Sequence, residues 1–417
     1  MTVAPDFGDQ PLAQTHPFDP QVLAHPYAYY QRLRREAPVY RDPHTDLVFV
    51  SSHARVLEVL RQPEQFSSNF GAGLSGGQSA SAELKAVAAE GYPAVNTMLT
   101  ADPPEHGRFR GLVNKAFTPR RVRGMSEDME KTADALIDAF ADRGSFEAVR
   151  DYAVLLPLTV IATQLGVPTE DLSKFRRWTD GFVTQLSGLA GEEDAIEAAR
   201  RIVEFQKYFA AKLEEARSED RENIISTLVH ARIEGERPLD VAECLSILQQ
   251  LLVAGHETTA SSIAEGLLLL VQHPDQLALL LEDRSRIPNC VEEVLRVVTP
   301  TQNMWRVVVA DGELGGVELK AGSFLMLRFG AANRDEAVFT EPERFDVLRE
   351  NASDQIAFGH GIHFCIGAML ARKEMQVAFE RLFDRLSGIR LAPGFAPEHK
   401  PHMLLRCLSE LPLEFDV

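Results

Sequence analysis

Apolar residues recur every three to four positions through residues 127–140, 195–216 and 241–271, with few internal breakers, and this period predicts helices across the middle of the chain. The last of these is apolar on every side, from Leu245 through Leu251-Leu252-Val253-Ala254 to Leu267-Leu268-Leu269-Leu270, and a helix without a polar face belongs in a core. Branched and aromatic residues between turn residues predict short strands at Val39-Tyr40, Leu47-Val48-Phe49-Val50, Arg306-Val307-Val308-Val309 and Phe324-Leu325-Met326-Leu327. The fold class expected is mainly α with a smaller β-rich subdomain.

Glycines break the pattern twice. Gly71, Gly73, Gly76 and Gly77 lie among serines and alanines within residues 66–100, and Gly188 and Gly191 interrupt the helical period near Phe182. Such breaks beside apolar segments suit a substrate lid or, equally, an ordinary surface loop. With no repeat, low-complexity tract or linker, residues 1–417 read as one domain, of which residues 1–16 form a flexible N-terminal segment.

Composition narrows the class. Hydrophobic residues make up 45% and charged residues 25% of the 417, as in an ordinary globular protein, and a net charge of −18 argues against nucleic acid as a partner. Residues 1–10 have neither a basic region nor an apolar core, and no apolar run reaches membrane-spanning length, so no signal or membrane anchor is expected and the location reads as cytoplasmic. Cys244, Cys290, Cys365 and Cys407 are widely spaced and form no zinc-type pattern, which fits a reducing compartment.

One of these cysteines stands in unusual company. Residues 358–367 read Phe358-Gly359-His360-Gly361-Ile362-His363-Phe364-Cys365-Ile366-Gly367, directly before a helical period starting at Ala368. Gly359 and Gly361 permit backbone angles that other residues resist, Gly367 lets a flat ligand approach the chain, and the positive end of the following helix favours an ionised sulfur. A single cysteine is more often a small buried hydrophobe than a ligand. The composite Phe-x-x-Gly-x-x-x-Cys-x-Gly, however, resembles the haem-binding loop of the cytochrome P450 monooxygenases.

The remaining motifs follow in the order that this resemblance implies, from about Pro17 to about Leu411. Inside the apolar helix, Ala254-Gly255-His256-Glu257-Thr258-Thr259 is similar to the family's oxygen-activating segment. Taken alone, the pair could be a threonine bonded one turn back and a carboxylate reaching solvent. The resemblance implies that Gly255 leaves room for dioxygen, Thr258 holds a water or the distal oxygen, and Glu257 relays protons. Glu293-Val294-Leu295-Arg296 looks like the Glu-x-x-Arg motif, and Pro342-Glu343-Arg344-Phe345 like the segment that adds a second arginine, implying a buried structural triad of Glu293, Arg296 and Arg344. His106, Arg110, Arg306 and His363 match the family's propionate ligands, and Phe358 would pack against the sulfur. Two departures, Gly107 for a common hydroxyl residue and Gln355 for a frequent histidine, touch neither iron nor oxygen.

The resemblance implies haem b, buried between the long helix and the cysteine loop, with Cys365 as the metal ligand and Gly367 beside it. It implies insertion of one atom of O2 into a hydrophobic small molecule, with terpenoid, steroid, fatty acyl, macrolide and aromatic ligands all open. No flavin or nicotinamide fingerprint is present, so NAD(P)H acts only indirectly, through a ferredoxin-type donor and its reductase. The basic run Arg108, Arg110, Lys115, Arg120, Arg121 and Arg123, with Arg372 and Lys373, is the candidate docking patch. Substrate candidates are the glycine-rich stretch near Leu74, then Leu251, Leu252, Ala254, Gln302, Asn303, Met304, Met403 and Leu404. A peroxide-driven peroxygenase and a non-catalytic haem sensor or carrier are the rival readings; Glu257 and Thr258 argue against both.

Overall fold

A computed structural model describes residues 11–70, 81–187, 190–219, 221, 223–232 and 236–416. The chain falls into two compact units, one of residues 1–67, 126–156 and 258–417, the other of residues 68–125 and 157–257. Gly71, Gly73, Leu74, Gly76, Gly77 and Gly188 lie outside the described residues.

The first unit is built on a five-stranded sheet in the order Val39–Arg41, Val48–Val50, Phe324–Arg328, Asn303–Val308, Phe66–Ser67. Only the pairing of Val48–Val50 with Phe324–Arg328 is parallel. Val48, Phe49 and Val50 are buried on both faces, as are Leu325, Met326 and Leu327, so these inner strands show continuous apolar runs rather than alternation. Helix Ala368–Arg385 packs on Ser126–Asp138 and Ile287–Val298. Its Phe379 also presses on the long helix Val241–Gln272 at Gly266, where an added Cβ would stand 2.6 Å from the ring. Residues 11–16, expected to belong to a flexible segment, are instead packed: Leu12–Gln14 forms a helical turn, Leu12 and Thr15 are buried, and the Ala13 carbonyl meets the His44 ring at 2.9 Å.

The second unit is helical. Leu172–Ser187 and Glu192–Ser218 form a pair whose shared face carries Phe175, Trp178, Phe182, Phe205 and Phe209, all fully buried, with the Phe205 and Phe209 rings 4.7 Å apart. Against Glu192–Ser218 lies helix Ala82–Ala89, tied by Glu83 to Arg200 at 2.9 Å and Glu90 to Lys207 at 3.2 Å. The chain after it is pinned to the N-terminal half of the long helix, where Ser246 Oγ accepts from the Val95 amide at 3.0 Å and Gln250 Oε1 from the Leu99 amide at 3.2 Å. The long helix runs unbroken for 32 residues, on the order of 48 Å. Among the described residues, no helix is long and apolar enough to cross a membrane.

Candidate active site

Two left-handed glycines shape the cysteine loop. Gly359 and Gly361 have φ of +70° and +72°, and at Gly361 an added Cβ would sit 2.6 Å from the Leu60 carbonyl oxygen, so a side chain there is excluded twice over. The Cys365 amide donates to the Phe358 carbonyl at 2.9 Å and closes the loop, and Ala368–Arg385 starts just beyond Gly367. Gly367 has ordinary φ, and the space where its Cβ would be is open except for the cysteine sulfur at 3.9 Å. Cys244 and Cys290, by contrast, are inert core residues; burial pushes the Cys244 thiol up to about 12 and the Cys290 thiol higher still. Among the described residues no three His, Cys, Asp or Glu side chains gather around a common point. A single cysteine sulfur with open space beside it at Gly367 fits a metal whose other ligands belong to a cofactor, as in haem.

Two successive carboxylates of helix Ile287–Val298 gather cations, and the first braces the chain on either side of this loop. Glu292 accepts from Arg372 Nη2 at 3.0 Å and from Gln355 Nε2 at 3.1 Å, while the Arg372 guanidinium lies 4.4 Å from the Phe358 ring centroid. Arg372 is therefore tied into the loop rather than free for docking. Glu293 takes Arg296 Nε at 2.7 Å and Nη2 at 2.8 Å, with both side chains fully buried. The expected third member is corrected: Arg344 is 58% exposed and turns to Glu341 and Asp346, whereas Arg349, 8% exposed, brings its Nε to 3.1 Å from Glu293. Arg344 contributes only its carbonyl, which accepts from Arg296 and from Arg349, each at 3.0 Å.

On the long helix the apolar wall opens at residues 253–258, where Ala254 is exposed and Gly255, Glu257 and Thr258 are partly so. Glu257 Oε1 lies 3.1 Å from His256 Nε2, and Ser262 Oγ donates to the Thr258 carbonyl at 2.9 Å. At Gly255 an added Cβ would stand 3.5 Å from the Ile161 side chain, an ordinary van der Waals distance.

His106 and Arg110 are four residues apart on helix Glu105–Val113 and so share a face. Burial first, and the Arg110 charge second, lower the pKa of His106. The lowered pKa favours a neutral imidazole beside the Arg110 guanidinium, a donor and a cation on one face that suit an anion such as a propionate. Arg306 is buried on its strand and donates to the Trp305 carbonyl at 2.7 Å; His363 ends the turn Gly361–His363. Of the basic run, Lys115 and Arg120 are exposed and Arg121 and Lys373 partly so. Arg108 departs from it: its Nη1 donates to Glu243 at 2.8 Å, in a pair that Arg237 completes.

The substrate candidates divide. Ala254, Met403 and Leu404 are at least partly exposed, and Leu251 shares the Ala254 face of the helix. Leu252 is fully buried in packing, and Met304 lies against the sheet core. Gln302 and Asn303 are buried and committed to backbone, Gln302 Nε2 to the Val298 and Thr299 carbonyls at 2.8 Å each and Asn303 Nδ2 to the Met403 carbonyl at 2.5 Å. Polar residues beside an apolar run read as ligand contacts in sequence, yet here Asn303 ties a strap to a strand and Gln302 caps the end of helix Ile287–Val298. One ionisable group was missed altogether. Glu374, on the helix after the cysteine, is 1% exposed, and neither of its carboxyl oxygens has a well-formed hydrogen bond. Burial pushes its pKa well above the carboxylate range, against the opposing influence of the Thr259 hydroxyl. An acid at an inward position of the helical period was the available signal.

The family model described as Cytochrome P450 matches residues 190–388. A steroid C26-monooxygenase of Mycobacterium tuberculosis is 38% identical over 392 residues, 93% of either chain. A solved cytochrome P450 in complex with (4-ethylphenyl) dihydrogen phosphate matches with a TM-score of 0.91 at 29% identity, covering 97% of this chain and 100% of the other. Another, from Bacillus megaterium in complex with corticosterone, matches with a TM-score of 0.82 at 31% identity, covering 94% and 98%. Fold and relatives together define a haem-dependent oxidoreductase. The chain belongs to the cytochrome P450 family, and it is a P450 monooxygenase acting with O2 on a hydrophobic substrate.

Proposed function

We propose that this protein hydroxylates a steroid-class substrate with electrons from a separate ferredoxin and reductase, in the cytoplasm and with haem b as cofactor. The observation that carries the haem-thiolate reading is the closed glycine loop that presents the Cys365 sulfur beside the open space at Gly367. The steroid class is supported by two likenesses, to a steroid C26-monooxygenase and to a corticosterone-bound structure.

Thiolate-ligated haem supplies the reductive activation of dioxygen. The chain supplies the rest. Cys365 would be the ligand, with Phe358 and Arg372 stacked to hold its loop, and His106, Arg110, Arg306 and His363 would hold the propionates. Per turnover, substrate, O2, two electrons and two protons give hydroxylated substrate and water. Glu257, 23% exposed, would take protons from solvent at its carboxylate and hand them to the Thr258 hydroxyl. Ala254 and the strap at Met403 and Leu404 are the apolar contacts to substrate.

The test is spectroscopic first. Reduced protein under carbon monoxide is expected to show the strongly red-shifted Soret band of thiolate ligation, and Cys365→His to lose it; an unshifted band in the native protein overturns the haem-thiolate reading. Steroids are then expected to displace water and change the haem spin state, and to be hydroxylated with a surrogate ferredoxin system. A full steroid panel without spin change overturns the substrate class alone.

A further inference from the structure

Arg328 ends strand Phe324–Arg328 and is 1% exposed. Its Nη1 donates to Asn303 Oδ1 at 3.2 Å, and the guanidinium lies 4.1 Å from the Phe49 ring centroid and 5.6 Å from that of Tyr30, whose hydroxyl also bonds this group. These partners are neutral. Nε and Nη2 have no acceptor, and Arg328 forms no ion pair among the described residues. Arg296, the other arginine whose side chain is wholly buried, has Glu293. An unpaired buried charge is strongly unfavourable, and two unmet donors on it require an explanation beyond packing.

The same arginine lines a cavity of about 10 Å³, room for a single water-sized body. Around it stand Arg406, Lys400, His399, His402 and Gln302, and no aspartate or glutamate lines it. Arg406 is partly offset from outside the cavity by Glu265, 3.7 Å away, which also meets His399 at 2.8 Å. Lys400 is exposed, giving the cavity a cationic rim toward solvent. Gln302 does not supply a negative wall, because its amide oxygen is directed at Gly330, where an added Cβ would stand 2.2 Å from it. The result is an almost enclosed space with a surplus of positive charge and two donors unmet.

We propose that this cavity binds a small monovalent anion of the halide class, held by Nε and Nη2 of Arg328, with Lys400 and Arg406 strengthening the field. Size sets the class: one water-sized body excludes sulfate, phosphate and organic carboxylates as complete occupants. The anion supplies the counter-charge that no side chain provides and fixes Arg328 against Asn303. Asn303 in turn holds the Met403 carbonyl at 2.5 Å, so the strap at residues 403–406 rests on this pair.

The experiment uses the holoenzyme. Crystals grown in sodium bromide are expected to show an anomalous peak within hydrogen-bonding distance of the Arg328 guanidinium. Thermal unfolding followed by circular dichroism at constant ionic strength is expected to give a midpoint that rises by a few degrees and saturates in chloride or bromide, with gluconate inert. Lys400→Met, a change at an exposed position, is expected to raise the half-saturating bromide concentration about tenfold, and Arg328→Met to abolish the halide dependence. A bromide-free cavity in the native crystal means that water alone occupies it and overturns the proposal, as do midpoints that follow ionic strength regardless of the anion. Both readings come from the native protein, so a poorly folded variant leaves the outcome decided.

Discussion

Glu374 shows what a single buried carboxyl contributes when only the Thr259 hydroxyl, and no cation among the described residues, faces it. An ionised carboxylate at 1% exposure with no cation beside it is strongly unfavourable, and the group avoids that state by keeping its proton, as its raised pKa records. In the unfolded chain the same carboxyl ionises near 4.3, a value about equal to that of any exposed glutamate. Between that pH and its own higher value the folded protein therefore binds the extra proton, so this group's contribution is fully present at low pH and is lost as pH rises through the folded value. Glu374→Gln keeps the shape and removes the proton. Urea midpoints measured across pH 4 to 8, a range of about four units, are expected to show the variant gaining on the native protein as pH rises. A difference that does not change with pH would mean that Glu374 is ionised and has found a partner.

Helix Ile287–Val298 illustrates how far an element's role can be read from its sequence. Glu293 and Arg296 were legible because a three-residue spacing on a helix fixes their meeting locally. The third member was not, since the choice between Arg344 and Arg349 depends on how residues 340–352 turn back on the helix, and both stand close to the same motif. Glu292 had no motif at all, yet it ties Arg372 and Gln355, so the glutamine standing where a histidine is frequent braces the chain beside the cysteine loop. The same limit separated Gln302 and Asn303 from the substrate contacts: their polarity was visible, but the backbone carbonyls that consume it were not. Removing one partner from a buried ion cluster strands the other, at about 3–5 kcal/mol. Arg349→Leu is thus expected to unfold or severely destabilise the protein, and Arg344→Leu to stay within about 0.5 kcal/mol of native. Chemical denaturation of the two variants checks this, and equal losses would restore Arg344 to the cluster.

At the scale of the whole molecule, two electrostatic effects compete for an acidic electron donor. The net charge of −18 repels it at long range, and the cations of helix Pro119–Gly124 and Lys115 attract it at short range. Arg108 cannot add to the attraction, because Glu243 and Arg237 already hold it in a pair. Lys115, Arg120 and Arg121 form no ion pair among the described residues and keep their charge available to a partner. Salt separates the two effects: with a screening length of about 10 Å at 0.1 M, added salt weakens whichever interaction governs encounter. If the global charge dominates, reduction by an acidic ferredoxin accelerates with ionic strength; if the local cations dominate, it slows. Docking through Lys115, Arg120 and Arg121 predicts slowing in stopped-flow reduction under carbon monoxide. It also predicts that Arg120→Glu with Arg121→Glu lowers the low-salt rate about tenfold or more while leaving the substrate-induced spin change intact. A native rate that rises with salt, or a double variant reduced as fast as native, would place the donor elsewhere on the surface.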